Sequence, residues 1–124
     1  MSRILRYLAG AALAALVVSG ARASEWSDTD RALAATALAL HVLDWGQTLH
    51  IIRPHNGVIE TNPVLGPYPS RGDVNAYFVG TALLMGVIAH AMPEHRRGLL
   101  LGYLAVGLVA VARNQIVFGV RVGF

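Results

Sequence analysis

The sequence predicts an all-α protein, a small bundle of three transmembrane helices that follows an N-terminal signal peptide. The chain is 55% hydrophobic and only 14% charged, whereas an average globular domain carries about 25% charged residues. A soluble domain of 124 residues has to cover a large surface with polar groups. The apolar residues also fall into long runs that end near prolines. Together these observations indicate lipid rather than water as the main solvent.

The charge pattern excludes several classes of protein. The net charge of +3 comes from arginines that flank the apolar runs and do not gather on one face. A nucleic-acid surface requires clustered cations, so we expect no nucleic-acid partner. Cysteine is absent, which removes disulfides, thiolate metal sites and iron–sulfur clusters. No cofactor-binding motif is found, and we predict no cofactor.

The first 23 residues have the composition of a secretory signal peptide. Arg3 and Arg6 precede the apolar run Tyr7–Ser19, and an A-x-A pattern ends at Ala23. We predict cleavage after Ala23, which leaves residues 24–124 as a single membrane domain. The alternative is an uncleaved signal anchor, and the protein then has four helices. Both interpretations predict a multi-pass protein of the bacterial inner membrane.

Three helices follow in the mature chain. The polar residues Ser27–Asp30 can cap the first helix, Ser70 or Asp73 can cap the second, and Pro93 ends the second. With the signal peptide setting the orientation, the segment between the first two helices lies in the cytoplasm. The predicted ranges are about 29–52, 74–92 and 98–118, with a structured loop at 53–73.

The most informative residue is Asp44, in the middle of the first apolar run. An aspartate at the centre of a membrane helix costs about 2.5–3.5 kcal/mol, while each Leu, Ile or Val contributes about −0.3 to −0.6 kcal/mol. The first helix is therefore marginal alone and should turn its polar residues toward its neighbours. At about 100° per residue, one face carries four of them: His41, Asp44, Gln47 and Thr48.

The other two helices offer faces that could receive this polar stripe. Small residues recur on the second helix at Ala82 and Gly86, in line with His90, and such spacing allows close approach of helix backbones. The third helix places Tyr103, Gly107, Ala110 and Asn114 on one face. We expect Asp44 to lie against His90, Asn114 or Tyr103, and Asn114 matches its depth better than His90 does.

The loop at 53–73 contains a further local signal. Asn62, Pro63 and Gly66 fit one capped turn, with Asn62 as N-cap, Pro63 in the first position and Gly66 as terminator. This turn can pack against the bundle and bring Glu60 and Asn62 toward the first helix. Non-helical backbone at that depth has to be covered by protein.

The motifs D-x-x-Q-T at Asp44–Thr48 and E-x-N-P-x-L-G at Glu60–Gly66 resemble a pattern in an uncharacterised family of small membrane proteins from proteobacteria and their phages. The resemblance covers roughly residues 30–118. It implies a shared fold and a shared polar site. No established activity accompanies that family, so the resemblance implies no catalytic roles.

Three functional hypotheses remain open. The first, which we favour, is a non-enzymatic accessory or structural protein whose polar cluster fixes helix packing or a contact with another membrane protein or a second copy. The second is a small proton- or ion-coupled transport element that uses Asp44. The third is an intramembrane metalloenzyme using His41, Asp44 and Glu60, although zinc requires four ligands or three and a water. No catalytic residue is predicted. The predicted polar site comprises His41, Asp44, Gln47, Thr48, Glu60, Asn62, His90 and Asn114.

Overall fold

The computed structural model describes residues 25–53 and 59–119, and these ranges contain three α-helices and no strand. The helices are α1 (Asp28–Ile51), α2 (Arg71–Ala91) and α3 (Arg96–Phe118). The predicted all-α class is confirmed, and each helix overlaps its predicted range, with ends that differ by at most three residues. The predicted signal peptide at 1–23 lies outside the described residues.

Capping boxes start α1 and α2. The Ser27 hydroxyl accepts a hydrogen bond from the Asp30 amide at 3.1 Å, and the Asp30 carboxylate accepts one from the Ser27 amide at 3.3 Å. Ser70 and Asp73 repeat this reciprocal pair at the start of α2. A capping box satisfies two backbone donors that the helix itself leaves free. Ser70 rather than Asp73 is thus the cap, which starts α2 three residues earlier than predicted.

The predicted turn in the loop is confirmed. The Asn62 side chain accepts a hydrogen bond from the Val64 amide at 2.9 Å, and the Asn62 carbonyl accepts one from the Gly66 amide at 3.0 Å. Gly66 has a φ of 77°, a left-handed conformation that glycine adopts without steric cost. The turn is anchored by Leu65, which is buried in the apolar core.

The apolar core lies where α1, α2 and the loop meet. Leu49, Leu65, Val74 and Phe78 are buried together. Trp45 packs parallel to Phe78 with ring centres 6.1 Å apart, and its indole N–H donates to Asn75 at 3.0 Å. These contacts fix which face of α2 turns toward α1.

The helix pairs differ strongly in their contact. The pair α1 and α3 has the most extensive contact, whereas α2 and α3 touch least although a short turn joins them. A Cβ placed on Gly107 would lie 3.2 Å from the Leu40 Cβ, so the missing side chain allows α1 and α3 to approach closely. Gly107 lies on the face of α3 that the sequence predicted to pack against α1, so this prediction is confirmed.

The predicted small-residue face of α2 is wrong. Gly86 and His90 are exposed, and no other atom lies within 4 Å of a Cβ built on Gly86. The reason is that Phe78 packs in the core and turns α2 away from the orientation that small-residue spacing suggests. Close helix approach occurs at Gly107 of α3 instead.

Two helices are long and apolar enough to cross a membrane. They span Arg71–Ala91 and Arg96–Val117, with mean hydropathies of 1.5 and 1.6. A helix of this length extends over about 30 Å, which matches the hydrocarbon thickness of a bilayer. Helix α1 has 24 residues but falls outside this set, because His41, Asp44 and Gln47 interrupt its apolar run.

The contact at Gly107 gives a test of the packing. Gly107→Val should push α1 and α3 apart and destabilise the bundle by about 1–3 kcal/mol, the usual cost of overpacking. Gly102→Val on the same helix is the matched control, since no atom crowds a Cβ there. Thermal unfolding in detergent measures both variants. Equal melting temperatures for the two would contradict the close approach.

Candidate functional site

A hydrogen-bonded network joins α1 to α3 at the level of Asp44. The Asn114 side-chain amide donates to Asp44 Oδ1 at 2.9 Å and to Gln47 Oε1 at 3.3 Å. Gln47 in turn donates from Nε2 to Gln115 Oε1 at 3.1 Å. Gln47 is 1% exposed and Asn114 is 9% exposed. The predicted pairing of Asp44 with Asn114 is confirmed, and the network encloses polar groups between the helices.

His41 extends the polar stripe of α1 toward α2. Its Nε2 lies 2.8 Å from the Phe78 carbonyl oxygen. The imidazole also packs between the rings of Phe78 and Tyr103, with centroid distances of 4.9 and 5.4 Å. One turn before Asp44, His41 thus holds a backbone acceptor of α2. Its ring belongs to the helix contact rather than to the Asn114 network.

A groove of about 600 Å³ opens beside the network, between α1, α3 and the loop turn. Asp44 and Thr48 line it from α1, while Glu60 and Asn62 line it from the loop. The loop therefore carries Glu60 and Asn62 to the polar face of α1. Asp44 and Glu60 thus line the same groove from two different segments of the chain.

The far wall of the groove combines one cation with apolar residues. Arg113 reaches from α3 to the loop and donates from Nη1 to the Thr61 hydroxyl at 2.8 Å. Val106, Val109 and Ala110 form the apolar part of the wall. The groove thus presents two acidic groups, one guanidinium and an apolar surface to whatever occupies it.

Glu60 has one oxygen whose position is unusual. Oε1 accepts a hydrogen bond from the Asn62 amide at 2.7 Å. Oε2 is buried and has no hydrogen-bond partner in the part of the chain that the structure describes. Nearly all buried polar atoms in proteins have a partner. Glu60 Oε2 is therefore enclosed by its surroundings without a donor among the described residues.

His90, by contrast, lies apart from the predicted site. It is exposed, and its Nδ1 accepts a hydrogen bond from the Trp26 indole at 3.3 Å. Along α2 it stands twelve residues beyond Phe78, the residue level with His41, and this separation is about 18 Å at 1.5 Å per residue. The grouping of His90 with Asp44 is therefore wrong, because the two residues lie at different depths.

The three residues of the metal hypothesis, His41, Asp44 and Glu60, are not brought together as the ligands of one ion. Within residues 25–53 and 59–119, no three His, Asp or Glu side chains lie close enough to hold one ion. His41 binds the Phe78 carbonyl, while Asp44 and Glu60 line the groove.

Sequence reasoning missed a buried cation at the opposite end of the bundle. Arg96, one of the arginines that flank the apolar runs in the sequence, is 2% exposed. Its guanidinium donates to the Ala89 carbonyl at 2.8 Å and to the Glu25 carbonyl at 3.2 Å. These bonds satisfy a carbonyl at the end of α2, where the helix offers no donor, and tie the segment before α1 to the turn between α2 and α3.

Aromatic and acidic groups complete the surroundings of Arg96. Its guanidinium lies 4.6 Å from the centre of the Trp26 ring, within the range of a cation–π interaction. Asp30 lies 3.9 Å from Arg96 and 3.5 Å from Arg97. A pair of adjacent arginines in the sequence does not reveal that only the first is enclosed, so no sequence signal distinguishes their roles.

No protein-family model, curated protein or solved structure matches this chain. The resemblance carried by Asp44–Thr48 and Glu60–Gly66 stays a prediction.

The two arginines allow a matched test of the buried cation. Arg96→Gln should destabilise the protein by about 3–5 kcal/mol, as expected when one partner of a buried charge pair is removed. Arg97→Gln should cost at most about 1 kcal/mol, because its side chain is 60% exposed. Denaturant unfolding in detergent compares the two variants. Similar losses would show that Arg96 does not hold the helix ends.

Proposed function

We propose that this chain is a small, non-enzymatic integral protein of the bacterial inner membrane. In this proposal the hydrogen-bonded network of Asp44, Gln47 and Asn114 fixes helix packing. The observation that carries the proposal is the distribution of polarity. Polar side chains such as Gln47, Thr48 and Asn114 are buried, while large apolar side chains such as Val106 and Ile116 are 68% and 84% exposed. A protein in water favours the opposite arrangement.

The exposed apolar surface supports a lipid environment. The most apolar 18-residue stretches of α2 and α3 are only 22% and 11% buried, whereas the core helix of a soluble protein is mostly enclosed. Contiguous apolar surface of this extent marks a membrane or a protein partner. We propose that lipid covers it, and the face of α3 that remains outside the bundle is also available to a second copy or another membrane protein.

The polar network supports a third crossing by α1. Its costly residues are covered from two sides, since Asn114 of α3 binds Asp44 and Gln47, and Phe78 of α2 binds His41. A helix that is marginal alone can cross a bilayer when neighbouring helices satisfy its polar groups. The network is then the reason that a three-helix topology is stable, with the loop on the cytoplasmic side.

A proton- or ion-coupled transport role is the alternative. It is favoured by one observation, that Asp44 and Glu60 line the same groove. Two such carboxyl groups at membrane depth can bind and release a proton. The structural role has more support, because Asp44 is held by a hydrogen bond across the helix interface.

The absence of cysteine allows single-cysteine labelling of the proposed topology. Asp28→Cys and Glu94→Cys should react with a membrane-impermeant maleimide from outside the inner membrane, since both positions are exposed. Tyr68→Cys, at a loop position that is 81% exposed, should react only after permeabilisation. Labelling of positions 28 and 68 from the same side would overturn the crossing by α1.

Substitution of Asp44 separates the two functional candidates. Asp44→Asn keeps an oxygen that accepts from Asn114, so a structural role predicts a stability change below about 1 kcal/mol, within the range of single hydrogen bonds in membranes. The same role predicts that liposomes containing either form leak protons no faster than empty ones. Proton flux through the unsubstituted protein that Asp44→Asn abolishes would establish the transport role instead.

A further inference from the structure

We propose that the contact of Trp26 with His90 and Arg96 is a pH-sensitive clasp. It holds the segment before α1 on the bundle while His90 is neutral and releases that segment when His90 is protonated. The inference goes beyond the packing role proposed above, because it uses no residue of the network around Asp44. Only the side of the membrane on which the clasp acts rests on the proposed topology.

Trp26 connects the segment before α1 to both of the other helices. Its indole N–H donates to His90 Nδ1 on α2 at 3.3 Å. Its ring centre lies 4.6 Å from the Arg96 guanidinium of α3, and Arg96 also donates to the Glu25 carbonyl at 3.2 Å. An arginine stays protonated in proteins, so the contacts of Arg96 do not depend on pH. The hydrogen bond to His90 is the part of the clasp that does.

The hydrogen bond from Trp26 requires a neutral imidazole. A neutral ring has one nitrogen that donates and one that accepts, whereas both nitrogens of a protonated ring donate. Because Nδ1 of His90 accepts from the indole, the proton of the neutral ring lies on Nε2. A second proton would occupy Nδ1 and set two N–H groups against each other. An indole N–H is a donor only, so Trp26 cannot adapt and the contact breaks.

The charges around His90 also favour release. Arg96 Nη2 donates to the His90 carbonyl at 3.5 Å, and Trp26 contacts both residues, so an imidazolium here would lie near a buried guanidinium. The Asp30 carboxylate of α1 is already shared by Arg96 at 3.9 Å and Arg97 at 3.5 Å. Like charges repel, and a protonated ring lowers its energy by moving away from Arg96. The other titratable side chains in the segments at this end are exposed: Glu25, Glu94 and His95.

The position of His90 allows it to respond to the surrounding solution. The residue is exposed, and histidine is the side chain that ordinarily changes charge between about pH 5 and 8. In the proposed topology this end of the bundle faces the outside of the inner membrane. Acidification there would free Trp26, which could then enter the membrane interface, where tryptophan is enriched. The segment before α1 would lose one of its links to the bundle.

Fluorescence of Trp26 in the purified full chain tests the clasp. The chain has two tryptophans, so the measurement uses Trp45→Phe as background, which keeps a ring against Phe78. Loss of one hydrogen bond lowers the ratio of docked to free Trp26 about fivefold. Quenching by acrylamide in detergent should therefore be stronger at pH 5 than at pH 8.

Three substitutions in the same background assign the response to His90. In His90→Asn the amide oxygen can replace Nδ1 as acceptor and does not titrate, so Trp26 should stay docked at both pH values. His90→Leu removes the acceptor and should give strong quenching at both. His95→Asn is the matched control, because His95 is also exposed and makes no side-chain cap to α3. This variant should keep the full pH response, and circular dichroism checks that each variant is helical.

Equal quenching of the background protein at pH 5 and pH 8 would overturn the inference. A pH response that persists in His90→Asn would do the same, as would weak quenching of His90→Leu at pH 8. These measurements in detergent do not depend on which side of a membrane the clasp faces. Cysteine labelling of positions 28 and 94 from the cytoplasm would overturn the proposed topology, and the clasp would then respond to the pH of that side.

Discussion

The contact between α1 and α3 is organised around one amide group, the side chain of Asn114, which donates to both Asp44 and Gln47. In a lipid environment, apolar side chains gain little by leaving lipid for protein, so helix association relies on packing and on hydrogen bonds. Without Asn114, two polar residues of α1 would lose their shared donor on α3. The extensive contact between α1 and α3, including the close approach at Gly107, follows from this requirement.

Local features of the fold were predictable, whereas the orientation of α2 was not. The helices α1 and α2 start after Ser27 and Ser70, because these hydroxyls accept hydrogen bonds from backbone N–H groups of the first helical turn. Each signal lies within four residues of sequence and can therefore be recognised locally. The face of α2 depends on how Phe78 fits against His41 and Trp45, two side chains of α1 that are far from Phe78 in the chain. Small-residue spacing at Gly86 carries no information about that fit, and the prediction based on it was wrong.

In the candidate site, too, features set by local sequence were predictable, and features set by contacts between distant segments were not. Asp44 and Asn114 could be paired from sequence because few polar residues interrupt the apolar runs and only some lie at equal depth. Glu60 was placed near α1 by the capped turn at Asn62, a local signal. Arg113 was missed because a long side chain near a helix end reads equally well as membrane-flanking charge. The burial of Arg96 depends on three chain segments that meet at one end of the bundle.

Asp44 belongs both to the interface between α1 and α3 and to the lining of the groove. One oxygen of its carboxylate accepts the Asn114 amide, while the residue also lines the groove beside Glu60. Any positive group that enters the groove therefore stabilises the same carboxylate that holds α1 to α3. A ligand that contacted this carboxylate would therefore change the stability of the helix interface as well.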